Sequence, residues 1–372
     1  MNEIQRLIHE MCPDGVPMVA LNSLCNVLRG KRLTKDKLSS SGKYPVFHGG
    51  LEPLGYYDSS NRPANSVMVI NVGASAGTVG FCNHEFWSSD GCFSISHNPL
   101  LHNKYLYYYL FGQTKNIQRK VRVAGIPTLD NAVVERIQIP LPPLPIQQHI
   151  VEILDKFTSL VSSLDSEIAL RQKQYEYYRD KLLSFEEGEE GVEWKKLRDV
   201  CNVINGRAYK QSELLEKGPY RVLRVGNFFS NDSWYYSDLE LDSKYYCFNG
   251  DLLYAWSASF GPHIWREEKV IYHYHIWKLE CQEPLEKKFM FYWLQSDNMT
   301  SQVSSEKHGA TMAHLTKAMM EDLILPIPSL DKQLSIVRTL DTFESLLTNL
   351  KKERELRQKQ YEYYREKLLT FA

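Results

Sequence analysis

The stretch LRQKQYEYYRDKLLSF, Leu170 to Phe185, returns as LRQKQYEYYREKLLTF from Leu356 to Phe371. Only two of the sixteen positions differ, and both differences are conservative. The match extends upstream without a gap, at a constant offset of 186 residues, as far as Pro140 and Pro326. A repeat of this length indicates one supersecondary unit that the chain uses twice.

Each copy of the repeat predicts a long helix with one apolar seam. Apolar and aromatic residues recur every three or four positions, from Ile150 to Phe185 and from Ile336 to Phe371, which is the spacing of a heptad seam. Proline-containing stretches precede both seams, and we expect the helices to begin after them because proline blocks an earlier turn. An exposed apolar stripe must be buried. The two helices are therefore expected to pair antiparallel, with a globular block at each end.

Three arginines occupy seam positions, namely Arg171, Arg354 and Arg357. Unpaired charge is costly inside a helix interface. Two interpretations remain open. Either the arginines fix the register of the helix pair, or their guanidinium groups bend out along apolar stems to nearby glutamates or solvent.

The segments in front of the two repeats are diverged copies of each other. Val16 to Gly30 pairs with Val192 to Gly206 at an offset of 176, and Val67 to Gly77 pairs with Asp251 to Gly261 at an offset of 184. Short β-rich runs alternate with Gly, Asn and Ser turns, and a helical run follows in each copy. This pattern predicts an α+β fold in which two mixed α/β domains are separated by two long antiparallel coiled-coil helices, with a pseudo-two-fold internal repeat.

The same pattern predicts five segments along the chain. They are an N-terminal arm at 1–15, a first globular domain at 16–136, a first spacer helix at 137–191, a second globular domain at 192–322 and a second spacer helix at 323–372.

Composition favours an ordinary globular protein without a membrane span. The chain has 372 residues, 43% of them hydrophobic, and a formal net charge of −1. No apolar run approaches the roughly 18 residues of a spanning helix, and the N-terminus does not resemble a signal peptide, so we expect a cytoplasmic protein. The seven cysteines are odd in number and form no CxxC pair, which predicts buried thiols.

Positive charge is concentrated in the first globular block. Between Val16 and Pro140, 13 Lys and Arg face 7 Asp and Glu, whereas between Val192 and Pro326 16 face 18. Two clusters in the first block, at residues 29–37 and 115–122, are dense enough to meet nucleic-acid phosphates. Such clusters are also compatible with a plain solvated surface.

Catalytic signatures are missing from the sequence. It contains no GxxxxGK[ST], GxGxxG, HExxH or GxSxG motif, so no catalysis by this chain alone is predicted. The run Gly73 to Gly80 could cradle a phosphate through its backbone amides. No lysine follows it, so it is interpreted as a tight loop between strands. His263, His273 and His275 could chelate a metal ion, but no carboxylate or Cys is adjacent to any of them in the sequence. A surface or base-contacting role is therefore favoured. No metal site is predicted.

In combination, several segments resemble the specificity subunit of type I restriction-modification enzymes. They are CPDGV at Cys12 to Val16, IPLPPLPIQQHIVEILDKF from Ile139, LPIPSLDKQLSIVRTLDTF from Leu325, and the paired LRQKQYEYYR stretches. The resemblance covers essentially all 372 residues.

This resemblance implies a DNA-recognition subunit without catalytic activity of its own. The domains at 16–136 and 192–322 would each read half of a bipartite sequence in double-stranded DNA. The helices would set the spacing and dock DNA methyltransferase (modification) subunits. S-adenosylmethionine, ATP and Mg would then bind to those subunits and to restriction (translocase) subunits. The segment Asn2 to Glu10 would lie against the end of the second helix.

Base edges are read by amide, guanidinium, hydroxyl and apolar groups, so polar residues in loops beside the basic clusters are the candidate DNA contacts. In the first domain they are Arg29, Lys31, Arg32, Lys35, Asn71, Ser75, Thr78, Arg119, Lys120 and Arg122. In the second they are Arg207, Tyr209, Lys210, Arg224, Asn227, Ser257, Ser259, His263, Lys307 and Thr311. Candidate subunit contacts are the repeated tyrosines Tyr175, Tyr177, Tyr178, Tyr361, Tyr363 and Tyr364.

A structural adaptor that holds protein partners and does not bind DNA is the alternative function. It explains the helices equally well. It does not explain why the globular ends diverge so far beside nearly identical helices, or why the first end carries basic clusters. A third hypothesis is a free-standing methyltransferase or nuclease, but the sequence contains no cofactor-binding loop motif.

Overall fold

The computed structural model describes residues 3–229, 231–257, 259–305 and 315–371. The chain divides into two compact units. Unit 1 comprises Met1–Asp165 and Lys352–Ala372, and unit 2 comprises Ser166–Lys351. Within the described residues, no helix is long and apolar enough to cross a membrane.

Unit 1 contains a globular part, called head 1 (residues 18–140), and segments of both long helices. Its sheets have the strand orders β2-β8-β5-β6, β4-β3-β7 and β1-β9. The elements are α1 (Glu3–Met11), β1 (Met18–Ala20), β2 (Val27–Leu28), β3 (Tyr44–Phe47), β4 (Gly55–Tyr57), β5 (Ser66–Ile70), β6 (Val79–Cys82), β7 (Trp87–Ser88), β8 (Cys92–Ile95), α2 (Asn103–Gly112), α3 (Thr114–Gln118), α4 (Asn131–Glu135), β9 (Gln138–Pro140) and α5 (Leu144–Leu182), whose last part belongs to unit 2.

Unit 2 repeats this topology in head 2 (residues 192–328), which confirms the predicted internal repeat of mixed α/β domains. Its sheets have the orders β11-β18-β15-β16, β13-β12-β17-β14 and β10-β19. The elements are β10 (Val192–Lys196), β11 (Cys201–Asn205), β12 (Tyr220–Leu223), β13 (Tyr235–Ser237), β14 (Tyr246–Cys247), β15 (Leu252–Ser257), β16 (Ser259–Ile264), β17 (Val270–Tyr272), β18 (Ile276–Cys281), α6 (Lys287–Trp293), α7 (Asp297–Ser305), α8 (Lys317–Asp322), β19 (Ile324–Pro328) and α9 (Leu330–Leu369), whose last part belongs to unit 1.

Both long helices begin earlier than their seams predict. α5 starts at Leu144 and α9 at Leu330, six residues before the first seam positions. Pro145 lies inside the first turn of α5. The expectation that proline blocks this turn was wrong, because the N–H that proline lacks has no intrahelical partner at the start of a helix.

Strand pairing corrects the sequence alignment of the two heads by one residue. Val69 pairs with Phe93 on β8, and Tyr254 pairs with Trp277 on β18. Phe93 and Trp277 are equivalent at an offset of 184, so Val69 corresponds to Tyr254 at an offset of 185. A one-residue slip exchanges the two faces of a strand. The repeat was misaligned here because all five residues of β5 are buried, so apolar alternation gives no register signal.

The helix segments within each unit are antiparallel, as predicted. In unit 1 the ring of Phe157 in α5 stacks on Tyr364 near the end of α9, with centroids 5.2 Å apart. In unit 2 the ring of Tyr178 near the end of α5 stacks on Phe343 near the start of α9, at 5.6 Å. The same aromatic pair is therefore used twice, once in each unit.

The seam arginines divide between the two interpretations. Arg354 donates from Nε to Asp165 Oδ1 at 2.9 Å, which joins α9 to α5 within unit 1 and fits register control. Arg171 instead binds Glu167 on its own helix at 2.8 Å. Arg357 likewise bonds to Glu353 on α9. These two side chains bend to neighbouring carboxylates rather than across the interface.

A buried glutamine fastens each head to the start of its helix. Gln147 Nε2 donates to the carbonyls of Leu100 and Pro142, and its Oε1 accepts from His102 N. Gln333 makes the same three bonds in unit 2, and both side chains are fully buried. The heads are thus held to their helices in the same way.

A second duplicated contact joins each head to its helix through a lysine, a tyrosine and an aspartate. In unit 1, Asp155 accepts from Lys104 at 2.7 Å and from Tyr108 at 2.6 Å. In unit 2, Asp341 accepts from Lys288 and Tyr292 at 2.6 and 2.7 Å.

The N-terminal helix α1 joins the core of unit 1. Ile4 is buried in the same apolar cluster as Leu368 and Leu369 at the end of α9. Glu3 Oε2 lies 3.4 Å from His149 Nε2 on α5. The start of α1 thus packs in the same apolar cluster as the end of α9, and Asn2 lies outside the described residues.

Candidate nucleic-acid interface

The first basic cluster of head 1 lies in the loop that follows β2. A Cβ at Gly30 would collide with the carbonyl oxygen of Ser89, so only glycine allows this close approach. Lys31 N donates to Ser88 O at 2.9 Å and fixes the loop against β7. The cationic side chains on both sides of Gly30 are exposed. They are those of Arg29, Lys31, Arg32 and Lys35.

The second basic cluster begins in α3, continues past its end and is tied to the turn after β5. Arg122 and Thr128 exchange main-chain hydrogen bonds of 2.9 and 3.0 Å, and Gly73 N donates to Pro127 O at 2.9 Å. Arg119, Lys120 and Arg122 are exposed on this segment.

The turn after β5 carries Ser75 and Thr78, both half-buried. Gln118 Nε2 lies 3.5 Å from Thr78 Oγ1 and links the turn to the end of α3, directly before Arg119. The turn joins β5 to β6, as the sequence predicts for the glycine-rich run.

The first basic loop lines a cleft of about 560 Å³ in head 1, which is called the head 1 cleft. Thr128, the main-chain partner of Arg122, also lines it. Its lining includes Arg32, Lys35 and Asn71. Asn71 is only 9% exposed, and its Nδ2 donates to Asp90 O at 3.2 Å. Its Oδ1 is buried and has no hydrogen-bond partner among the described residues. A buried acceptor without a partner is costly, so this oxygen is suited to accept from a ligand N–H.

Two further residues of the head 1 cleft were missed by sequence reasoning, His48 and Asp90. His48 Nδ1 accepts from Gly91 N at 3.1 Å and lies 3.2 Å from a carboxylate oxygen of Asp90. Neither residue belongs to a charge cluster or a motif, so no sequence signal singled them out.

The basic clusters of head 1 are not neutralised by the protein itself. In the described part of the chain, the acid–base contacts that involve head 1 are the ion pair Lys104–Asp155 and the approach of His48 to Asp90, and neither includes a cation of the two clusters. Unpaired, exposed cations are available to an external anion.

Two candidates in head 2 are committed to internal contacts. Arg207 donates to both carboxylate oxygens of Glu213 at 2.9 and 2.8 Å. This ion pair lowers the pKa of Glu213 to about 2. Asn227 uses its amide to hold its own turn, because Oδ1 accepts from Arg224 N and Nδ2 donates to two carbonyls.

Rings gather beside these residues in a group called the head 2 ring cluster, which comprises Tyr209, Trp256, His273, Tyr274 and His275. The ring of His273 lies 4.4 Å from that of Tyr274 and 6.5 Å from that of Tyr209. Trp256 meets His275 edge to face at 5.0 Å and donates from Nε1 to Tyr274 O at 2.9 Å. Within this cluster, sequence reasoning proposed Tyr209 as a DNA contact and gave His273 and His275 a surface or base-contacting role, but it missed Trp256 and Tyr274.

The imidazoles of this cluster are uncharged at neutral pH. Burial, followed by the neighbouring His275 and Arg224, lowers the pKa of His273 to about 4. Burial also lowers the pKa of His275. Tyr209 has a buried hydroxyl without a hydrogen-bond partner in the described ranges. The cluster therefore offers neutral polar atoms on ring edges.

The head 2 ring cluster occupies the place of the head 1 cleft. Asn71 N donates to Gly91 O at 3.1 Å, and Trp256 N donates to His275 O at 3.2 Å. These equivalent bonds make Asn71 the counterpart of Trp256, and Gly91 that of His275. The two heads thus present different chemistry at one position of a shared fold.

The remaining candidate DNA contacts of head 2 lie on different elements of the head. Lys210 is exposed, Ser257 is half-buried at the end of β15, and the guanidinium of Arg224 lies 4.3 Å over the ring of Tyr235. Ser259 lies in β16. Lys307 and Thr311 lie outside the described residues.

His263 stands apart from the ring cluster. It stacks on Phe228 with centroids 4.0 Å apart, and burial lowers its pKa to about 4. It lines a different cavity of about 400 Å³, which also includes Phe291 and Glu344. In the described ranges, no three His, Cys, Asp or Glu side chains are placed to hold a metal ion.

The repeated tyrosines of the helices differ in exposure. Tyr177 and Tyr363 are 59% and 58% exposed, and each is accompanied by a lysine one turn later, with Nζ 5.7 Å from the ring. The other four members are less exposed, with Tyr178 the most exposed of them at 37%. Tyr175 and Tyr361 are buried in their units, whereas Tyr178 and Tyr364 stack on phenylalanines.

Two copies of one α/β head with unlike polar surfaces, each fastened to paired long helices, define a duplicated recognition protein. The family model described as the type I restriction modification DNA specificity domain matches residues 13–170 and again 189–358. The chain therefore belongs to this family. It is the specificity subunit of a type I system, a non-catalytic component that recognises target DNA and associates with other subunits.

Relatives of known name agree with this assignment. The chain is 28% identical to a putative type I restriction enzyme specificity subunit of Haemophilus influenzae, over 95% of this chain and 94% of the relative. It is 27% identical to a putative type I specificity subunit of Mycoplasma pneumoniae, over 94% and 96%. The crystal structure of a type I restriction-modification S subunit from M. genitalium has the same fold, with a TM-score of 0.64, 20% identity and coverage of 95% and 96%.

Proposed function

We propose that the chain reads a bipartite DNA target, one half-site with each head, at a spacing set by its two long helices. The observation that carries this proposal is the contrast between fixed and variable positions. The glutamine contacts and the Lys–Tyr–Asp contacts are duplicated almost atom for atom. The residues at the head 1 cleft differ from their counterparts in head 2, where Trp256 replaces the buried Asn71.

The proposed division of the chain follows the predicted segments. Residues 16–136 and 192–322 are the target-recognition domains, 137–191 and 323–372 are the spacers, and 1–15 is the arm. The helices cannot change length, so half-sites read from one face of the duplex have centres about one turn, ~10 base pairs, apart.

In head 1 the proposed contacts are of two kinds. The exposed cations of the basic clusters bind phosphates and position the head, since such contacts carry no sequence information. Asn71, Ser75 and Thr78 meet base edges in the groove, where an amide pairs well with the amino group of adenine or cytosine.

In head 2 the proposal rests on fewer cations. Lys210 and Arg224 are the candidate phosphate contacts, and Tyr209, Ser257, Ser259 and His263 remain candidates for base contacts. Arg207 and Asn227 are expected to act by shaping the loops that they brace. Lys307 and Thr311 remain candidates from the sequence alone.

The helices are the proposed docking surface for methyltransferase subunits. Tyr177 and Tyr363 are exposed, duplicated and accompanied by lysines, and exposed tyrosines are enriched at protein interfaces. The cofactors S-adenosylmethionine, ATP and Mg belong, in this proposal, to the associated modification and restriction subunits.

Exchange of one head tests this function. Replacing residues 16–136 with the corresponding domain of a relative is expected to change one half of the methylated target and to leave the other half and the gap unaltered. Sequencing the methylome of cells that carry the chimera measures this outcome. A change in both halves of the target, or in neither, would contradict the proposal that each head recognises one half-site.

Salt dependence separates this function from the adaptor alternative. Binding to duplex DNA through phosphate contacts weakens steeply as the salt concentration rises. Titration of fluorescent duplexes with the full-length chain, with and without its modification subunits, provides the measurement. A flat salt response favours the adaptor.

A further inference from the structure

A short apolar loop projects from head 1 between its basic residues. This loop is called the apolar tip and comprises residues 123–126. Val123 is 79% exposed and Ile126 is 71% exposed, the highest values for large apolar side chains in the described part of the chain. Single exposed apolar residues are ordinary. Two of them on one four-residue tip form a protruding apolar point.

The apolar tip is held firmly rather than being a loose loop. The paired main-chain bonds of Arg122 and Thr128 close its base. Gly73 N binds Pro127 O at 2.9 Å, and Leu129 N binds Asn71 O at 2.8 Å. These bonds attach the tip to a wall of the head 1 cleft. A binding element that is already ordered loses little entropy when it engages a partner.

The charge around the apolar tip selects its partner. The segment from Gly112 to Leu129 contains four Lys and Arg and no Asp or Glu. Arg119, Lys120 and Arg122 are exposed, and none has an ion-pair partner among the described residues. An exposed apolar tip that directly follows three exposed cations fits a surface with anions at its rim and apolar edges at its centre. A DNA groove has this arrangement, with phosphates on both sides and base edges between them.

We propose that the apolar tip enters a groove of the first half-site and that Val123 and Ile126 make apolar contacts with base edges there. The inference rests on the proposed function and adds two specificity-determining residues to it. Arg119, Lys120 and Arg122 bind the flanking phosphates and set the depth of entry. Aliphatic side chains are used in this way in other DNA-binding proteins, against thymine methyl groups or between base steps.

The test uses the full-length chain with its modification subunits and the target found by methylome sequencing. The double variant Val123→Ser and Ile126→Ser is compared with Leu100→Ser. Leu100 is 59% exposed in head 1 and lies outside both basic clusters. Affinity is measured by anisotropy for the intact target, for two targets with one half-site scrambled, and for a random duplex, each over a range of salt concentrations.

The double variant is expected to bind the intact target about tenfold or more weakly, with an unchanged salt slope. This loss is expected to disappear when one particular half-site is scrambled and to persist when the other is scrambled. Leu100→Ser is expected to behave as wild type. The isosteric variant Val123→Thr, which keeps the shape of the loop, is expected to show part of the loss.

Three results would overturn the inference. They are unchanged affinity of the double variant, an equal loss on the intact and random duplexes, and a loss that persists when either half-site is scrambled. Failure of the proposed function looks different, because the wild-type complex would then not distinguish the target from the random duplex.

Discussion

Head 1 and head 2 share a fold and differ where they meet solvent. At one position of this fold, head 1 has an open cleft with the buried amide of Asn71, and head 2 has the indole of Trp256 surrounded by aromatic and imidazole rings. The bonds that attach each head to its helix are the same in both units. The comparison shows that this fold separates the residues that fix the position of a head from the residues that give it its surface chemistry.

The two heads also differ in how their cations are used. The clusters of head 1 are exposed and unpaired within the described residues, whereas in head 2 Arg207 binds Glu213 and Arg221 binds Glu267. Head 1 is therefore expected to supply most of the salt-dependent affinity. Head 2 offers rings and neutral imidazoles, so its contribution to DNA affinity is expected to depend less on phosphate charge and on salt.

The largest expected effect concerns what the heads have in common. Gln147→Ala and Gln333→Ala each remove a fully buried side chain and its three hydrogen bonds to the main chain. We expect each variant to lose about 3 kcal/mol of stability. Denaturant unfolding of the two variants measures the loss. The neighbouring exposed Gln148→Ala is the control and should unfold as wild type does. If one variant lost clearly more stability than the other, the two heads would not be attached to their helices in an equivalent way.

The next effect concerns the position at which the heads differ. Asn71→Ala is expected to lower discrimination by about 1–3 kcal/mol at one half-site, and Trp256→Ala by a similar amount at the other half-site. Anisotropy titrations with targets scrambled in one half measure both losses. If the two variants weaken the same half-site, the assignment of one half-site to each head is wrong.

A smaller effect concerns paired and unpaired arginines. Arg32→Ala removes an exposed cation of the head 1 cleft, so we expect the salt slope of DNA binding to fall by about 1 with little change in stability. Arg207→Ala breaks the ion pair with Glu213. It is expected to lower the thermal midpoint and to leave the salt slope nearly unchanged. The reverse pattern would show that Arg207 leaves Glu213 to bind phosphate.

The smallest effect comes from one carboxylate that unit 1 does not have. Glu344 takes the place of Thr158 beside the Lys–Tyr–Asp contact, and burial, followed by the charge of Asp341, raises its pKa despite a hydrogen bond from Tyr292. A raised pKa favours the protonated form in the folded state, so the associated stability is lost as the pH rises above 4.5.

We therefore expect Glu344→Thr to be more stable than wild type at pH 7 and to lose this advantage near pH 4. Thermal unfolding midpoints across this pH range are the measurement, and Thr158→Glu provides the reciprocal variant in unit 1. An advantage that does not depend on pH would point to packing rather than charge.

Much of the fold could be predicted because the repeat is nearly exact in the helices. The spacing from Ile150 to Phe185 predicted one helix seam, and its copy predicted the other. The sequence could not predict which seam arginine bonds within its own helix and which bonds across the helix pair. Arg171 bonds to Glu167 on its own helix, whereas Arg354 bonds to Asp165 on the other. Both are seam arginines with carboxylates nearby, and the choice depends on the partner helix.

The candidate site was predictable in part. The basic clusters were visible in the sequence because charge density is a local property. The ring cluster was not, because it joins Tyr209 to Trp256 and to residues 273–275 through strand pairing. The sequence alignment had also placed Asn71 opposite Ala255, and only the strand register shows that its counterpart is Trp256.

The discontinuity of unit 1 has a consequence for the order in which the protein is made. Unit 2 is a single continuous segment, Ser166–Lys351, whereas the core of unit 1 includes Tyr361 and Leu368 from the far end of α9. During translation, head 1 leaves the ribosome first, yet the surface that α9 covers stays open until residues beyond 351 have been synthesised. The earlier half of the nascent chain is therefore the later one to complete its core.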